Sequence, residues 1–188
     1  MKKNIFLAAL FLIAFSERVF FDLGPNVELV TTAVILSSFY IGRKQSFWLI
    51  FLVMLFSDLV IGNTNIFIFT WTGFLIPALF VKYFSNSKNS IFKKSLTGTF
   101  AGTLTNGFFF IWTNFGVWML TSMYPKTELG LITSYINAIP FLRPQIVSTL
   151  IFVPLGILLT ELILFLLHKY KPESKFKYQL SLNKSNQF

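Results

Sequence analysis

Long apolar stretches, separated by short polar segments, occupy most of the chain. They cover residues 4–21, 27–42, 46–62, 65–84, 95–121 and 143–168. A helix needs about 20 mainly apolar residues to cross the hydrocarbon core of a bilayer, and most of these stretches approach or exceed that length. The pattern therefore predicts an all-α, polytopic membrane protein with six transmembrane helices.

The segment between the fifth and sixth stretches has a helical pattern of its own. Tyr124-Pro125 stops the fifth helix, and Thr127 is placed to N-cap a new helix with Glu128 in its first turn. Apolar residues then recur at helical spacing until Pro140, namely Leu129, Ile132, Ile136 and Ile139. This pattern predicts a short amphipathic outer helix, either a connector resting in the headgroups or a lid over an outward-facing pocket.

The basic residues are distributed unevenly between the two sides of the predicted membrane. If the first stretch starts in the cytoplasm, only Arg18, Lys126 and Arg143 of the 16 lysines and arginines fall in outer segments, which leaves 13 inside. Cytoplasmic loops retain Lys and Arg because basic loops are hard to translocate. We therefore expect a multi-pass protein of the cytoplasmic membrane with both termini in the cytoplasm.

The N-terminus also imitates a secretory signal, because Lys2-Lys3 and an apolar run precede the small-residue site Ala14-Phe15-Ser16. Cleavage there would leave five spans. The apolar run continues through Phe21, which favours a retained first helix. We expect a single six-helix domain over residues 1–170 and a disordered, basic cytoplasmic tail over residues 171–188.

The composition limits the chemistry that is available. The chain is 54% hydrophobic and 12% charged, with a mean hydropathy of +0.67, which is unusual for a soluble domain. It has no cysteine and only one histidine, His168, so we expect no disulfide, no metal centre and no cofactor. The net charge of +9 lies beside the spans, which favours the lipid bilayer as partner and not nucleic acid. No nucleophile motif, phosphate loop or paired carboxylates with a base are present, so we expect no enzyme activity.

Asp58 is the most suggestive polar residue. It lies near the C-terminal end of the third span, where the helix dipole disfavours an anion. A charged side chain at the centre of a membrane helix costs on the order of 3 kcal/mol, and less near its end. We predict an ion pair with Arg18, which lies at a similar depth in the first span; Glu17 and Arg143 are alternative partners. The pair serves either to join two helices or to bind a ligand.

Asn26 and Glu28 lie at the start of the second span. After Gly24-Pro25, Asn26 is placed to N-cap this helix, and Glu28 falls in its first turn, where the dipole favours an anion. Both residues would lie on the same outer face as Arg18 and Asp58. Asn26 is therefore also a candidate for binding a solute.

The fifth span carries Gly98, Gly102 and Asn106 at intervals of four residues, a pattern typical of closely packed membrane helices. Asn114 lies eight residues after Asn106, on a broadly common face and nearer the outside. Buried amides need a neighbour or a ligand to satisfy them. The aromatic residues Trp112, Trp118 and Tyr124 offer either stacking surfaces or an ordinary interfacial belt. Glu161 in the sixth span has no obvious partner except Thr160 or a cytoplasmic-side lysine.

Several motifs resemble a bacterial family of multi-spanning membrane proteins of unknown function that are assigned to transport. The resemblance rests on Arg18, Gly24-Pro25-Asn26, Ser57-Asp58, Gly62, the run Thr113-Asn114-Phe115-Gly116-Val117-Trp118, Tyr124-Pro125 and Ala138-Ile139-Pro140-Phe141. That family in turn is similar to the substrate-binding (S) components of energy-coupling factor vitamin transporters. These are six-helix proteins that bind a small molecule near the outer face and dock onto a shared transmembrane and ATPase module.

The resemblance implies that Arg18, Asp58, Asn106, Asn114 and Trp118 belong to a pocket. It also implies an energising transmembrane and ATPase partner. One motif differs: many S components have two alanines four residues apart in the first helix for docking. Here Ala8 is followed by Leu12, and Ala9 by Ile13.

The leading hypothesis is a membrane transport component that captures a small, vitamin-like or cofactor-like solute in an outward-facing pocket. The alternative is a membrane scaffold or a subunit of an envelope complex, in which the polar residues only join helices. Since the chain has no nucleotide-binding motif, any use of ATP would depend on a partner.

Overall fold

A computed structural model describes residues 3–21, 23–24, 26–86 and 88–169, and these form an all-α protein. The helices are α1 (Lys3–Val19), α2 (Val30–Tyr40), α3 (Arg43–Ile61), α4 (Phe67–Phe80), α5 (Ile91–Leu120) and α6 (Glu128–Lys169). A short 3-10 helix, Val81–Phe84, extends α4. The described residues contain no strand, so the predicted all-α class is confirmed. The predicted tail, residues 171–188, lies outside the described residues.

Among the described residues, fewer helices than the six predicted spans have the length and composition of membrane-spanning helices. Three segments are long and apolar enough to cross a bilayer: Arg43–Ile61, Phe67–Phe84 and Glu128–Lys169. The most apolar 18 residues of α6 have a mean hydropathy of 2.6, yet most of them are exposed, including Leu158 and Leu162. Large exposed apolar surfaces on a soluble protein are unfavourable, so this surface indicates a membrane-embedded protein.

The short helix α2 lies at the centre of the bundle. It has only 11 residues, equivalent to about 16 Å. Every residue from Val30 to Phe39 is buried, and α2 contacts each of the other five helices. Its sequence is apolar apart from Tyr40 and four small hydroxyl residues, Thr31, Thr32, Ser37 and Ser38, which suits a helix without an exposed face. It begins three residues later than the predicted stretch 27–42.

The small residues of α5 allow close helix packing, as the sequence predicts. A Cβ on Gly98 would lie 2.8 Å from Cδ1 of Ile157, and a Cβ on Gly102 would lie 2.6 Å from Cγ2 of Thr149. Both neighbours belong to α6. The two helices are therefore so close at these glycines that any larger side chain would displace its neighbour on α6.

The predicted outer helix and the predicted sixth span are a single helix, which corrects the expectation that Pro140 ends the first of them. The hydroxyl of Thr127 accepts a hydrogen bond from the Gly130 N–H, so the predicted N-cap is confirmed. The helix then continues for 42 residues through Pro140, Pro144 and Pro154. Proline removes one helical hydrogen bond and tends to kink the helix, but its fixed φ is helical, and membrane helices tolerate it.

The first part of α6, residues 128–140, presents its apolar stripe away from the protein. Small residues four positions apart, Gly130, Ser134 and Ala138, are buried, whereas Leu129 and Ile132 are exposed. This arrangement is the reverse of that in a soluble amphipathic helix. The apolar stripe of this part of α6 therefore does not pack on the protein, and it suits contact with lipid.

We predict that Gly102→Ala destabilises the protein by about 1–3 kcal/mol, because the added methyl group forces Thr149 from its position. Gly107, five residues later on α5, has open space where its Cβ would lie. Gly107→Ala is therefore the matched control, and it leaves stability unchanged or raises it by up to about 1 kcal/mol through helix propensity. Unfolding in detergent micelles measures both. Equal effects of the two variants would contradict the packing of α5 on α6.

Candidate functional site

The first turn of α2 begins inside the bundle, where its backbone donors need partners. Two carboxylates supply them. Oε2 of Glu17 accepts a hydrogen bond from the Leu29 N–H at 3.1 Å, and Oε2 of Glu28 accepts one from the Thr31 N–H at 3.1 Å. Oε1 of Glu28 also accepts a hydrogen bond from the Thr31 hydroxyl. The N-terminus of α2 is thus capped by acidic side chains, as the helix dipole favours.

The prediction that Asn26 caps α2 is wrong. The chain remains irregular through Leu29, and Asn26 adopts a left-handed conformation with φ of 58°. Asparagine tolerates this conformation better than most residues. Because Glu17 and Glu28 already bind the first backbone donors, the Asn26 side chain is left exposed at the mouth of a recess.

A recess with two lobes lies directly beside the start of α2. The first lobe has a volume of about 390 Å³ and includes three ionisable side chains in its lining, namely Glu17, Arg18 and Glu28. We call it the charged lobe. It is partly open to the surroundings, and its volume falls within the range of small-molecule sites.

The second lobe has a volume of about 360 Å³, and no ionisable side chain lines it. We call it the neutral lobe. Asn26, Thr70, Phe109 and Gln145 line both lobes, which are therefore adjacent parts of one recess. Asn114 lines the neutral lobe, together with apolar side chains of α5 and α6.

Two aromatic rings form part of the wall of the charged lobe. The ring centroids of Phe74 and Phe109 are 4.4 Å apart. Gly73 permits this arrangement, because a Cβ there would lie 2.7 Å from Cδ2 of Phe109. The rings are held by helix packing, so this wall is formed before any solute arrives.

Arg18 is held in place by a network behind the recess, and its predicted ion pair with Asp58 is confirmed. Nη2 of Arg18 lies 2.9 Å from Oδ1 of Asp58, and Nε donates to the Ser57 hydroxyl at 2.9 Å. The other carboxylate oxygen of Asp58 accepts a hydrogen bond from Trp71 Nε1 at 2.6 Å. Arg18 lines the charged lobe, whereas Asp58 does not. Asp58 therefore orients Arg18 and stands behind the site.

Asn106 does not line the recess. It is fully buried, and its oxygen lies 3.0 Å from the Thr31 hydroxyl, which shares its one proton between this oxygen and Oε1 of Glu28. Its amide donates to the Gln145 carbonyl at 3.0 Å and to the Thr149 hydroxyl at 2.8 Å. These bonds join α2, α5 and α6. Asn106 is a helix-joining residue below the recess, so its inclusion among the pocket residues is not supported by its position.

Asn114 and Trp118 have different surroundings although both belong to α5. Asn114 lines the neutral lobe and donates to the Phe110 carbonyl of its own helix at 2.7 Å. Trp118 lines neither lobe; its indole donates to the Pro125 carbonyl at 2.9 Å. Its ring also lies under Lys126 Nζ, 5.8 Å from the centroid. Trp118 thus stabilises the α5–α6 turn.

Reasoning from sequence missed several residues of the site, chiefly Trp71, Thr70, Phe109 and Gln145. Trp71 carries an N–H donor in an otherwise apolar stretch, and such a donor needs an acceptor. Gln145 is an amide in the middle of an apolar helix, which is equally unusual in a membrane protein. Both the Trp71 donor and the Gln145 amide can be recognised in the sequence. By contrast, Phe109 lines the recess only because of how the helices pack.

Glu161 lies at the opposite end of the bundle and has the kind of partner that the sequence predicts. Lys94 Nζ lies 2.6 Å from its Oε1, and the Tyr40 hydroxyl donates to the same oxygen at 2.8 Å. The lysine comes from the start of α5, so this pair joins α5 to α6. Among the described residues, no group of three metal-binding side chains occurs.

An all-helical bundle with a membrane-type surface and a polar recess at one end defines a membrane-embedded protein with a cavity of small-molecule size. Residues 1–172 match the model of a family of unknown function, DUF6580, and the chain belongs to this family. No curated protein and no solved structure matches the chain.

We predict that Arg18→Gln destabilises the protein by about 3 kcal/mol, because it leaves the buried Asp58 without its ion-pair partner, and that Asp58→Asn, which leaves the half-buried Arg18, costs about 2 kcal/mol. The double variant loses less than the sum of the two, since neither charge remains. Arg143→Gln removes an exposed arginine at the same end of the bundle and costs under about 0.5 kcal/mol. Chemical unfolding of the three single variants and the double variant measures this coupling. Strict additivity would show that the ion pair contributes nothing.

Proposed function

We propose that this protein is a small-molecule transport component with six membrane-spanning helices and cytoplasmic termini, and that its recess faces outward. The observation that carries the proposal is the preformed recess, in which a fixed guanidinium, two carboxylates and two amides converge on a cavity of about 390 Å³. Concave sites with a few converging polar groups are the usual form of small-molecule sites.

The distribution of charge supports the proposed orientation. The turn between α5 and α6, at the recess end, contains one basic residue, Lys126. The connection between α4 and α5, at the opposite end, contains Lys82 and Lys88 and is followed by Lys93 and Lys94. By the positive-inside rule, the opposite end faces the cytoplasm and the recess opens outward.

The proposed mechanism is capture of a solute from the outside, with energy supplied by a partner. The chain has no nucleotide-binding motif, and the resemblance to S components suggests an energising transmembrane and ATPase module. Helix α1 offers an exposed face with Leu12 and Ile13, in place of the second alanines that many S components use. Any docking at this face would therefore use bulkier side chains.

A scaffold role is the second candidate, because several of the polar residues join helices. Asn106 bonds to α2 and α6, Arg18–Asp58 links α1 to α3, and Lys94–Glu161 links α5 to α6 a second time. The scaffold hypothesis accounts for these residues but not for the side chains that face the recess, such as Asn26 and Asn114.

We predict that a panel of vitamins, cofactors and small metabolites of all charge classes contains a solute that raises the unfolding temperature of the purified protein. Ligands that bind only the folded state stabilise it by mass action. Thr70→Trp should abolish this effect, because Thr70 lines both lobes. Ile68→Trp is the matched control: Ile68 lies two residues away on α4 and is exposed outside the recess. A panel without any stabilising solute would favour the scaffold.

The cysteine-free sequence allows a direct test of orientation and access. We predict that Asn26→Cys reacts with a membrane-impermeant maleimide added to intact cells, since Asn26 is exposed at the recess. Lys88→Cys, at the opposite end, should react only after the cells are permeabilised. Ser148→Cys, which is buried, should stay unreacted in both cases. Labelling of Lys88→Cys in intact cells would show that the topology is the reverse of the proposed one.

A further inference from the structure

A groove between α1 and α3 lies on the surface of the bundle, separate from the recess. It has a volume of about 580 Å³ and is partly open to the surroundings. We call it the α1–α3 groove. Most of its lining is apolar, and Leu12 and Trp48 in this lining are 59% and 51% exposed. Since the surface of the bundle indicates a membrane-embedded protein, a groove here is filled by a molecule from the bilayer, because a void forfeits the dispersion contacts of its lining.

The α1–α3 groove has the depth of one leaflet of a bilayer. Arg18 near the end of α1 pairs with Asp58 near the end of α3, so the two helices run in the same direction. On α3 the groove extends from Lys44 to Leu52, which is about 12 Å along the helix. One leaflet contributes about 15 Å of hydrocarbon, half of the bilayer core. An extended acyl chain therefore matches the groove in length and in polarity.

The polar residues of the groove lie together at one end. Lys44 and Gln45 belong to the first turn of α3, and both are exposed. Trp48 follows Lys44 by four residues and so lies on the same face of α3. Tryptophan is typical of the interface between bilayer and water, where its indole N–H donates to polar groups. This end of the groove therefore corresponds to the level of the lipid headgroups.

The positive charge of Lys44 is not balanced by an acidic side chain. Within the part of the chain that the structure describes, no carboxylate forms an ion pair with Lys44. Glu161, a carboxylate at the same end of the bundle, is already paired with Lys94 at 2.6 Å. The adjacent Arg43 is exposed, and its hydrogen bond goes to the neutral hydroxyl of Tyr83. The headgroup end of the groove therefore attracts an anion.

We propose that the α1–α3 groove binds one anionic phospholipid, with its phosphate group at Lys44 and one acyl chain between α1 and α3. Basic pockets between membrane helices bind anionic lipid headgroups in this way. The small side chain of Ala8 lines the groove and leaves room for the acyl chain. In the proposed orientation, this lipid belongs to the cytoplasmic leaflet. Only the choice of leaflet depends on that orientation, and the lipid site does not depend on the transport function.

Native mass spectrometry of the full chain tests this lipid site. The protein is released from micelles that contain equal amounts of phosphatidylglycerol, which is anionic, and phosphatidylcholine, which is zwitterionic, with identical acyl chains. We expect one retained lipid per chain, with at least about a fivefold preference for phosphatidylglycerol, because one lysine near an anionic headgroup contributes about that factor. Equal retention of the two lipids by the wild-type protein would overturn the proposal.

Lys44→Gln should lower the affinity for phosphatidylglycerol about fivefold and leave that for phosphatidylcholine unchanged. Lys93→Gln is the matched control, because it removes the same charge from an exposed site on α5 at the same end of the bundle, outside the groove. It should leave both affinities unchanged. Equal losses in the two variants would reduce the headgroup preference to a general effect of net charge and contradict a site at Lys44.

Ala8→Phe fills part of the groove and should remove the retained lipid. Ala9→Phe is its matched control, because Ala9 is equally classed as exposed but does not line the groove. Since both alanines lie on the surface, neither change disturbs the core. Retention of the lipid by Ala8→Phe would contradict an acyl chain in the groove. A chain that is dimeric without lipid, and that Ala8→Phe converts to a monomer, would show instead that the groove is an interface between two copies.

Discussion

The structure depends on a short helix that begins in the protein interior. Because α2 starts at Val30, its first backbone N–H groups lie where water does not satisfy them. Glu17 and Glu28 bind Leu29 and Thr31 instead, and an asparagine or serine at the helix start could not reach both positions. The space that a longer α2 would occupy becomes the recess. Capping and cavity formation thus have the same origin, and acidic side chains come to line a cavity in an otherwise basic protein.

The polar residues in the bundle fall into two groups with different tasks. Asn106 and the pairs Arg18–Asp58 and Lys94–Glu161 bond to other helices and hold the bundle together at its middle and at both ends. Asn26, Glu28, Asn114 and Gln145 instead have surface on the recess. Arg18 belongs to both groups, because its guanidinium lines the recess while Asp58 and Ser57 hold it from behind. These two residues thus fix the guanidinium at the wall of the recess.

Reasoning from sequence succeeded where one property determines the outcome. The sequence favoured Arg18 as the partner of Asp58 because an unpaired charge in a membrane helix is costly. It favoured close packing at Gly98 and Gly102 because their spacing leaves one smooth side of the helix. It failed where distant residues compete. Asn26 has the right chemistry for a cap, but Glu17 reaches the same backbone from another helix. Pro140 is a reasonable stop signal, yet α6 gains more from continuous packing on α5 than it loses in one hydrogen bond. Trp71 and Phe109 acquire their roles only through tertiary contact.

The prolines of α6 have a mechanical consequence for the recess. Pro140 and Pro144 lack N–H groups, so the carbonyls of Ile136 and Pro140 have no partner in the helical ladder. Bending of a long helix concentrates where this ladder is interrupted. That interval contains Phe141 and Leu142, which form one side of the neutral lobe. A small tilt of the part of α6 that precedes Pro140 would therefore widen or narrow the entrance, while the part held by Asn106 and Lys94 stays in place.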